Sequence, residues 1–552
     1  MSSRGSSPWL FGAAPDLLFG AGLLYALVLV AVTVGGSVTA GIIPASILPF
    51  LVLIFSGAHY GGTLLRVFEY ADDRRTYRTF TVYATGLMLA LLLGALHSPV
   101  AGSLLITIYL TWSPWHYTGQ NYGIALMFLR RRGVEISPAA KRWLYASFVC
   151  SYLSVFVNFH FDGGVGQADP LGYTAVGSSG FEFVSLGLPG VVRSILLPLI
   201  ALGAVGSIAV AGFLLVRASS FRAVGPAALV VFTQAAWFSI PHLSFFFEIG
   251  GFIPALSLDR EGSFQSYFVW AALGHAVQYL WITSYYARRD ERWRGFSSYL
   301  TKAFVFGNAV WATPLVLFGP DTLGRPDYGG GLALCVAAAV NLHHFIVDGA
   351  IWKLRNPKVA AVLLHSQSSD PIEPSTGVSA AWKRRLAWSL ATLFCFFKVV
   401  PEFEIERRLP RALASGNFAE AEAILDRAAW YGRDSSETRT LLANTQIQNR
   451  KPMDALSNYW RSLELRPHPD GYAQVGVLVA SIHGLDLALP AWKKGLAKYP
   501  DDFDLNRRLG LALLELRRAN QATPYLEAAA KLRPDDASVN AALDKSRNRA
   551  GR

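Results

Sequence analysis

Cysteine is scarce in this chain. Cys150, Cys335 and Cys395 are the only three in 552 residues; all lie inside apolar runs, and none stands in a CxxC or other ligand spacing. That pattern excludes a disulfide framework and a thiolate metal site, and assigns the thiols to packing. Charge is scarce too: 16% of residues are Asp, Glu, Lys or Arg while 52% are apolar, and the mean hydropathy is +0.31. Such a balance excludes an ordinary soluble domain and places the chain among integral membrane proteins. The first apolar run has only Arg4 before it and no cleavage site after it. It is expected to stay as a first helix rather than act as a signal peptide.

Apolar runs able to cross roughly 30 Å of hydrocarbon fall at 17–36, 41–65, 79–97, 101–129, 143–160, 191–216, 226–247, 265–286, 303–319 and 332–352, with a shorter one from Leu386 to Val400. The expected fold is all-α, a polytopic transmembrane helix bundle of 10 or 11 spans over residues 1–401. Basic residues gather in alternate loops: Arg66 to Arg78, Arg130 to Arg142, Arg217 with Arg222, Arg288 to Arg294, and Lys353 to Lys358. These share one side if the N-terminus is cytoplasmic, because positive flanks resist translocation. Loops between them, such as 161–187 with Asp162, Asp169 and Glu182, hold no Lys or Arg. The expected location is a plasma (inner) membrane, multi-pass. The net charge of +12 then reflects basic loops facing anionic lipid and implies no nucleic-acid partner.

Residues 402–552 are of another kind. Charge rises, long apolar runs end, and a phrase recurs: "SLELRPHP" near Pro467, "GLAKYPDD" near Pro500 and "AAKLRPDD" near Pro534, at spacings of 33 and 34. An earlier copy, "ALASGNFAEAEAILDRAAWY", breaks at Gly416 and Asn417. The period and the Ala-rich amphipathic segments resemble the tetratricopeptide repeat (TPR), which implies a TPR-like α-solenoid offering a surface to a protein or peptide partner. If the Leu386 to Val400 run crosses the membrane, with Lys398 snorkelling to the interface, this domain is extracytoplasmic.

Six histidines interrupt the apolar runs: His59, His116, His242, His275, His343 and His344. An ionisable group at membrane depth is costly and marks a functional site. Counting back to the nearest basic loop at 1.5 Å per residue puts His116, His275 and His343 at roughly 21, 20 and 15 Å, with His59 at roughly 10 Å and reachable by tilt. His242 is assigned to another layer. Asp348 follows His344 by four residues, Gln278 and Tyr279 follow His275 by three and four, and Gln120 follows His116 by four, so each shares its histidine's face. His343 and His344 diverge by about 100°, which favours one ligand from the pair. The expected metal ligands are His59, His116, His275, His344 and Asp348, supported by Gln120, Gln278, Tyr279 and His343. Imidazole and carboxylate suit iron(II) with open positions, with zinc as the alternative. Trp112, Trp115, Tyr117, Tyr122 and Trp281 nearby suit a lipophilic substrate reached from the lipid bilayer. Interhelical hydrogen bonding is the plainer role of any single membrane histidine.

The blocks "SGAHYGGTLL" at His59, "SPWHYTGQNYG" at His116 and "GHAVQYLW" at His275 resemble the histidine blocks of the Brp/Blh type bacterial carotene dioxygenases. The resemblance implies a membrane oxygenase with His59, His116 and His275 on iron. The chain departs from that family at Tyr279, where a second histidine would close the block, and in carrying "NLHHFIVDGAIWKLR" and the repeats. Two other functions compete. A multi-span glycosyltransferase using lipid-linked sugar would place carboxylates in the first outer loop, but that loop has none and the early pair Asp72 and Asp73 sits among arginines. A transporter or membrane scaffold would use the histidines as a proton relay or as interhelical contacts, but residues 1–401 show no internal repeat.

Overall fold

The computed structural model describes residues 7–27, 47–68, 77–162, 181–246, 263–289, 293–352, 357–364 and 379–550. Regular structure among the described residues is helical throughout, apart from an isolated bridge between Phe161 and Leu188. The chain divides into two units, Met1–Val316 with Gly331–Glu402, and Leu317–Gly330 with Phe403–Arg552. The expected boundary after 401 lies beside the break between Glu402 and Phe403, and the Leu317–Gly330 segment groups with the second unit as well. Hydropathy shows that segment only as a polar connector, whereas its partners Ser436 and Arg461 lie 109 and 140 residues further along the chain.

In the first unit the helices are α1 (Leu48–Phe68), α2 (Thr79–His97), α3 (Pro99–Arg131), α4 (Pro138–His160), α5 (Gly190–Ala218), α6 (Phe221–Leu243), α7 (Ser263–Ala287), α8 (Phe296–Leu317), α9 (Ala333–Ile351), α10 (Pro357–Leu364) and α11 (Ser379–Phe403). Seven described helices are long and apolar enough to cross a membrane, namely α1, α2, α5, α6, α8 and those over Tyr328–Ile351 and Trp382–Ala414. Three expected runs, now α3, α4 and α7, form full-length helices outside that set. Polar side chains such as Asn121, Asn158 and Gln278, buried between helices, lower their mean hydropathy. The run at 17–36 lies outside the described residues from 28 onward, as do Asp72 and Asp73.

One seam fixes α1 against α8. A Cβ added at Gly61 would lie 1.8 Å from the carbonyl oxygen of Ala303, and one at Gly307 would lie 1.7 Å from that of Gly57. The pair Gly57 and Gly61, four residues apart, thus meets Ala303 and Gly307, also four apart, in the small-residue packing that lets membrane helices approach closely. His59 and Thr63 share a different face of α1, about 200° around the axis from the glycines. A π-type turn at Val52–Ser56 precedes them.

The second unit comprises α12 (Leu409–Ala414), α13 (Phe418–Trp430), α14 (Ser436–Gln448), α15 (Pro452–Leu465), α16 (Pro469–His483), α17 (Leu485–Leu496), α18 (Phe503–Glu515), α19 (Ala519–Leu532) and α20 (Ala537–Ala550). Small and aromatic residues such as Ala455, Tyr459, Tyr472, Ala488, Leu509 and Leu526 fill its core. Asn417 caps α13 by accepting from the Glu420 N–H, while its own amide donates to the Glu420 carboxylate. The repeat recurs in backbone conformation: Gly416, Arg450, Gly484 and Arg517 all have positive φ, at 69°, 60°, 98° and 60°. It recurs in side chains as well, since Asn506 donates to the carbonyl of Pro500 and Asn540 to that of Pro534, both at 2.8 Å.

A buried ionic network ties this unit's first helices to the Leu317–Gly330 segment. Asp434 is fully buried and accepts from Arg439 Nε at 2.9 Å and Arg461 Nε at 3.0 Å. Arg461 also donates to Asp321 at 2.5 Å, and Asp327 accepts from the Ser436 N–H at 2.9 Å. Burial works against charge on Arg461, but Asp321 and Asp434 more than offset it and hold the guanidinium above its ordinary range.

Candidate metal centre

Four helices of the first unit bring the five expected ligands together. α1 supplies His59, α3 His116, α7 His275, and α9 both His344 and Asp348. The His59 ring lies 4.8 Å from that of His275 and 4.2 Å from that of His344, and His116 lies 5.0 and 5.2 Å from the same two. Asp348 Oδ2 is 3.3 Å from His344 Nε2 and 3.9 Å from His116 Nε2. Two overlapping triads, His59 with His275 and His344, and His116 with His344 and Asp348, each offer ligand atoms within 4.8 Å of one another.

Burial sharpens this. His344 is 0% exposed, His275 1% and His59 6%. Yet His59 Nε2, His116 Nε2, both ring nitrogens of His275 and His344 Nε2 have no hydrogen-bond partner among the described residues. Buried polar groups in folded proteins are nearly always satisfied. These five nitrogens belong to four rings that lie against one another.

The supporting residues fall less as expected. Gln120 donates to Gln278 Oε1 and to the backbone carbonyl of His275, both at 3.2 Å, and Gln278 donates to the Gly20 carbonyl. Neither orients an imidazole; helical spacing put them on the right face, but their amides stop at each other and at backbone oxygens. Tyr279 reaches the centre through the carboxylate, donating to Asp348 Oδ1 at 2.7 Å. His343 turns away, with Nδ1 against Tyr60 Oη at 2.6 Å and Nε2 against Thr85 Oγ1 at 2.9 Å. His242 packs against Phe159 and joins neither triad.

Thr63 and Trp352 were missed. Thr63 Oγ1 lies 2.9 Å from His344 Nδ1, and Trp352 Nε1 donates to Tyr279 Oη at 3.0 Å. Each stands four residues after a ligand, His59 and Asp348, so extending the i+4 rule to those two would have found them.

No family model matches the chain. A stretch of 126 residues, 23% of the chain, is 29% identical to Tetratricopeptide repeat protein 21B of Xenopus laevis and covers 10% of that protein. The chain thus spans only about a tenth of that curated relative. Among solved structures it is similar to MamA AMB-1, at 23% identity over 26% of this chain and 80% of that one, with a TM-score of 0.22. It is also similar to YrrB, described as a TPR protein with an unusual peptide-binding site, at 18% identity over 30% and 85% with the same TM-score. The recurring helix pairs and the Xenopus relative agree that the second unit is a TPR-type solenoid, a fold that serves protein interaction.

Proposed function

We propose that the first unit is a membrane-embedded metal oxidoreductase, its ion held by His59, His116, His275, His344 and Asp348. The orphaned imidazole nitrogens carry this reading. Leaving one buried polar group unsatisfied costs about 1–3 kcal/mol, so the four rings, at one ligating nitrogen each, together cost about as much as the 5–15 kcal/mol that holds a whole protein folded. A bound cation removes that cost, whereas a histidine serving only as interhelical glue has no reason to lack a partner. Four imidazoles and a carboxylate exceed the three protein ligands typical of catalytic zinc, and the donor set suits iron(II), which takes more ligands and keeps a position open. Iron bound there would supply oxidation by dioxygen.

The residues themselves point to a lipophilic substrate. His116 is the most exposed of the five, its side chain 12% accessible. It stacks on Phe345 of α9 with ring centres 4.3 Å apart, and its own helix, α3, also exposes Trp112 and Trp115. That face admits an apolar molecule from the bilayer, and a polyene, as the carotene dioxygenase resemblance implies, belongs to that class. The test is elemental analysis of the detergent-purified protein beside a His116→Ala, His275→Ala double variant. About one iron per chain, lost in the variant, is expected; a protein metal-free even after reconstitution with iron(II) would sink the reading.

The repeats, in this reading, face the extracytoplasmic side. The Leu317–Gly330 segment folds with them, and it joins two helices whose other ends adjoin the basic loops Arg288 to Arg294 and Lys353 to Lys358. A loop opposite the basic side is extracytoplasmic, and the repeats share its side. A cysteine placed at exposed Ser538 should react with a membrane-impermeant maleimide in intact cells, while one at Arg288 should not. The reverse labelling would place the repeats in the cytoplasm.

A further inference from the structure

Resting on the metal-centre reading, we infer that Thr63 is a positioning residue that fixes which nitrogen of His344 and which oxygen of Asp348 face the ion. Its hydroxyl is the hub of a buried network: Oγ1 lies 2.6 Å from Tyr279 Oη, 2.9 Å from His344 Nδ1 and 3.1 Å from Asp348 Oδ1. Thr63 itself is 2% exposed.

Proton counting assigns the tautomer. A hydroxyl has one proton to give and two lone pairs to accept with. Tyr279 gives its one proton to Asp348 Oδ1, so the 2.6 Å contact of Thr63 Oγ1 with Tyr279 Oη carries a hydrogen only if Thr63 donates it, and the contact of Thr63 with His344 Nδ1 then carries one only if that nitrogen is the protonated one. Nε2 then bears the lone pair. This agrees with the geometry at the other end of the ring, where Nε2 sits 3.3 Å from Asp348 Oδ2 yet makes no hydrogen bond to it. Asp348 is divided in the same way. Oδ1 accepts from Tyr279 and lies 3.1 Å from Thr63 Oγ1, which leaves Oδ2 turned toward His344 and His116. Tyr279 is fixed in turn by the Trp352 indole N–H at 3.0 Å. One ring nitrogen and one carboxylate oxygen are thereby presented to the ion, and their opposite atoms are held by hydroxyls. Groups of this kind orient a ligand and raise its basicity, and losing one weakens metal binding by roughly 10–100-fold.

The test uses cobalt(II), whose visible spectrum reports its ligand field, added to the metal-stripped full chain, with affinity read by chelator competition. Thr63→Val keeps the branched shape and removes the hydroxyl. It should weaken cobalt(II) binding by about 10–100-fold and shift the absorption bands, while Thr63→Ser restores both. Tyr279→Phe, which leaves Thr63 in place but frees one side of Oδ1, should weaken binding less and stands in as the informative variant if Thr63→Val does not fold. Equal affinity and spectra for wild type, Thr63→Val and Tyr279→Phe overturn the inference and leave the metal centre standing. Failure of Thr63→Ser to restore either readout also overturns it. Wild type that takes up no cobalt(II), iron(II) or zinc overturns the centre itself.

Discussion

Each unit holds a buried polar cluster, and the two clusters differ in how their atoms are satisfied. In the repeat unit, both carboxylate oxygens of Asp434 are occupied by Arg439, and one also receives Arg461. In the first unit, five ring nitrogens of His59, His116, His275 and His344 have no hydrogen-bond partner among the described residues. A satisfied buried network specifies a structure, whereas an unsatisfied one is stable only if something absent from the chain completes it. The difference separates a group kept for folding from a group kept for a ligand more reliably than burial alone does.

Two substitutions should split the units. Asp434→Ala leaves Arg439 buried without its main counter-charge, and breaking a buried pair in this way costs about 3–5 kcal/mol. The melting transition of the repeat unit should fall by roughly 10 °C, with metal content unchanged. His275→Leu removes two orphaned nitrogens and puts apolar volume in their place, a swap that is nearly neutral for folding. It should abolish metal uptake and leave the metal-free protein melting within a few degrees of wild type. If scanning calorimetry found His275→Leu as destabilising as Asp434→Ala, the histidine cluster would be structural and the comparison would collapse.

A smaller effect sharpens the comparison from the side of packing. Gly61→Ala drives a methyl into the Ala303 carbonyl, which cannot yield without moving α8. Overpacking of this kind costs about 1–3 kcal/mol. Because Gly61 lies between His59 and Thr63 on α1, the shift should also displace both, so that thermal stability and cobalt(II) affinity fall together. A loss of stability with affinity intact would show that the seam and the ligand face move independently.

What the sequence disclosed follows from which physical signals are local. The cluster of His59, His116, His275, His344 and Asp348 was legible because cost and depth are local: a histidine in an apolar run stands out, and its distance to the nearest basic loop sets its height. The partners that orient the ligands were not, since Gln120 and Gln278 share faces with His116 and His275 yet bond to each other. The i+4 rule puts Thr63 on the face of His59, but its bonds run to His344 and Asp348 on α9, an approach that spacing along α1 does not reveal. The Leu317–Gly330 segment was missed for the same reason. Nothing in a short polar connector announces that Asp321 and Asp327 find their partners more than a hundred residues away.

The smallest expected effect concerns the repeat turns, where sequence and backbone disagree. Gly416, Arg450 and Arg517 occupy the left-handed region at φ 69°, 60° and 60°, while Gly484 sits at φ 98° and ψ 159°. The turn therefore demands positive φ in every copy, but two copies supply an exposed arginine. A side chain there costs about 1–2 kcal/mol, and glycine gives back about 0.4–1 kcal/mol through the greater freedom of its unfolded chain. Arg450→Gly should thus stabilise the repeat unit by about 0.5–1 kcal/mol, and the Arg450→Gly, Arg517→Gly pair by about twice that, since such distant sites add. Gly484→Ala should act in the opposite sense and more strongly, because that conformation is essentially open to glycine alone. Urea titration of the full chain, following the repeat transition, would check both signs. An Arg450→Gly variant less stable than wild type would mean that the arginine makes contacts worth more than the strain it bears.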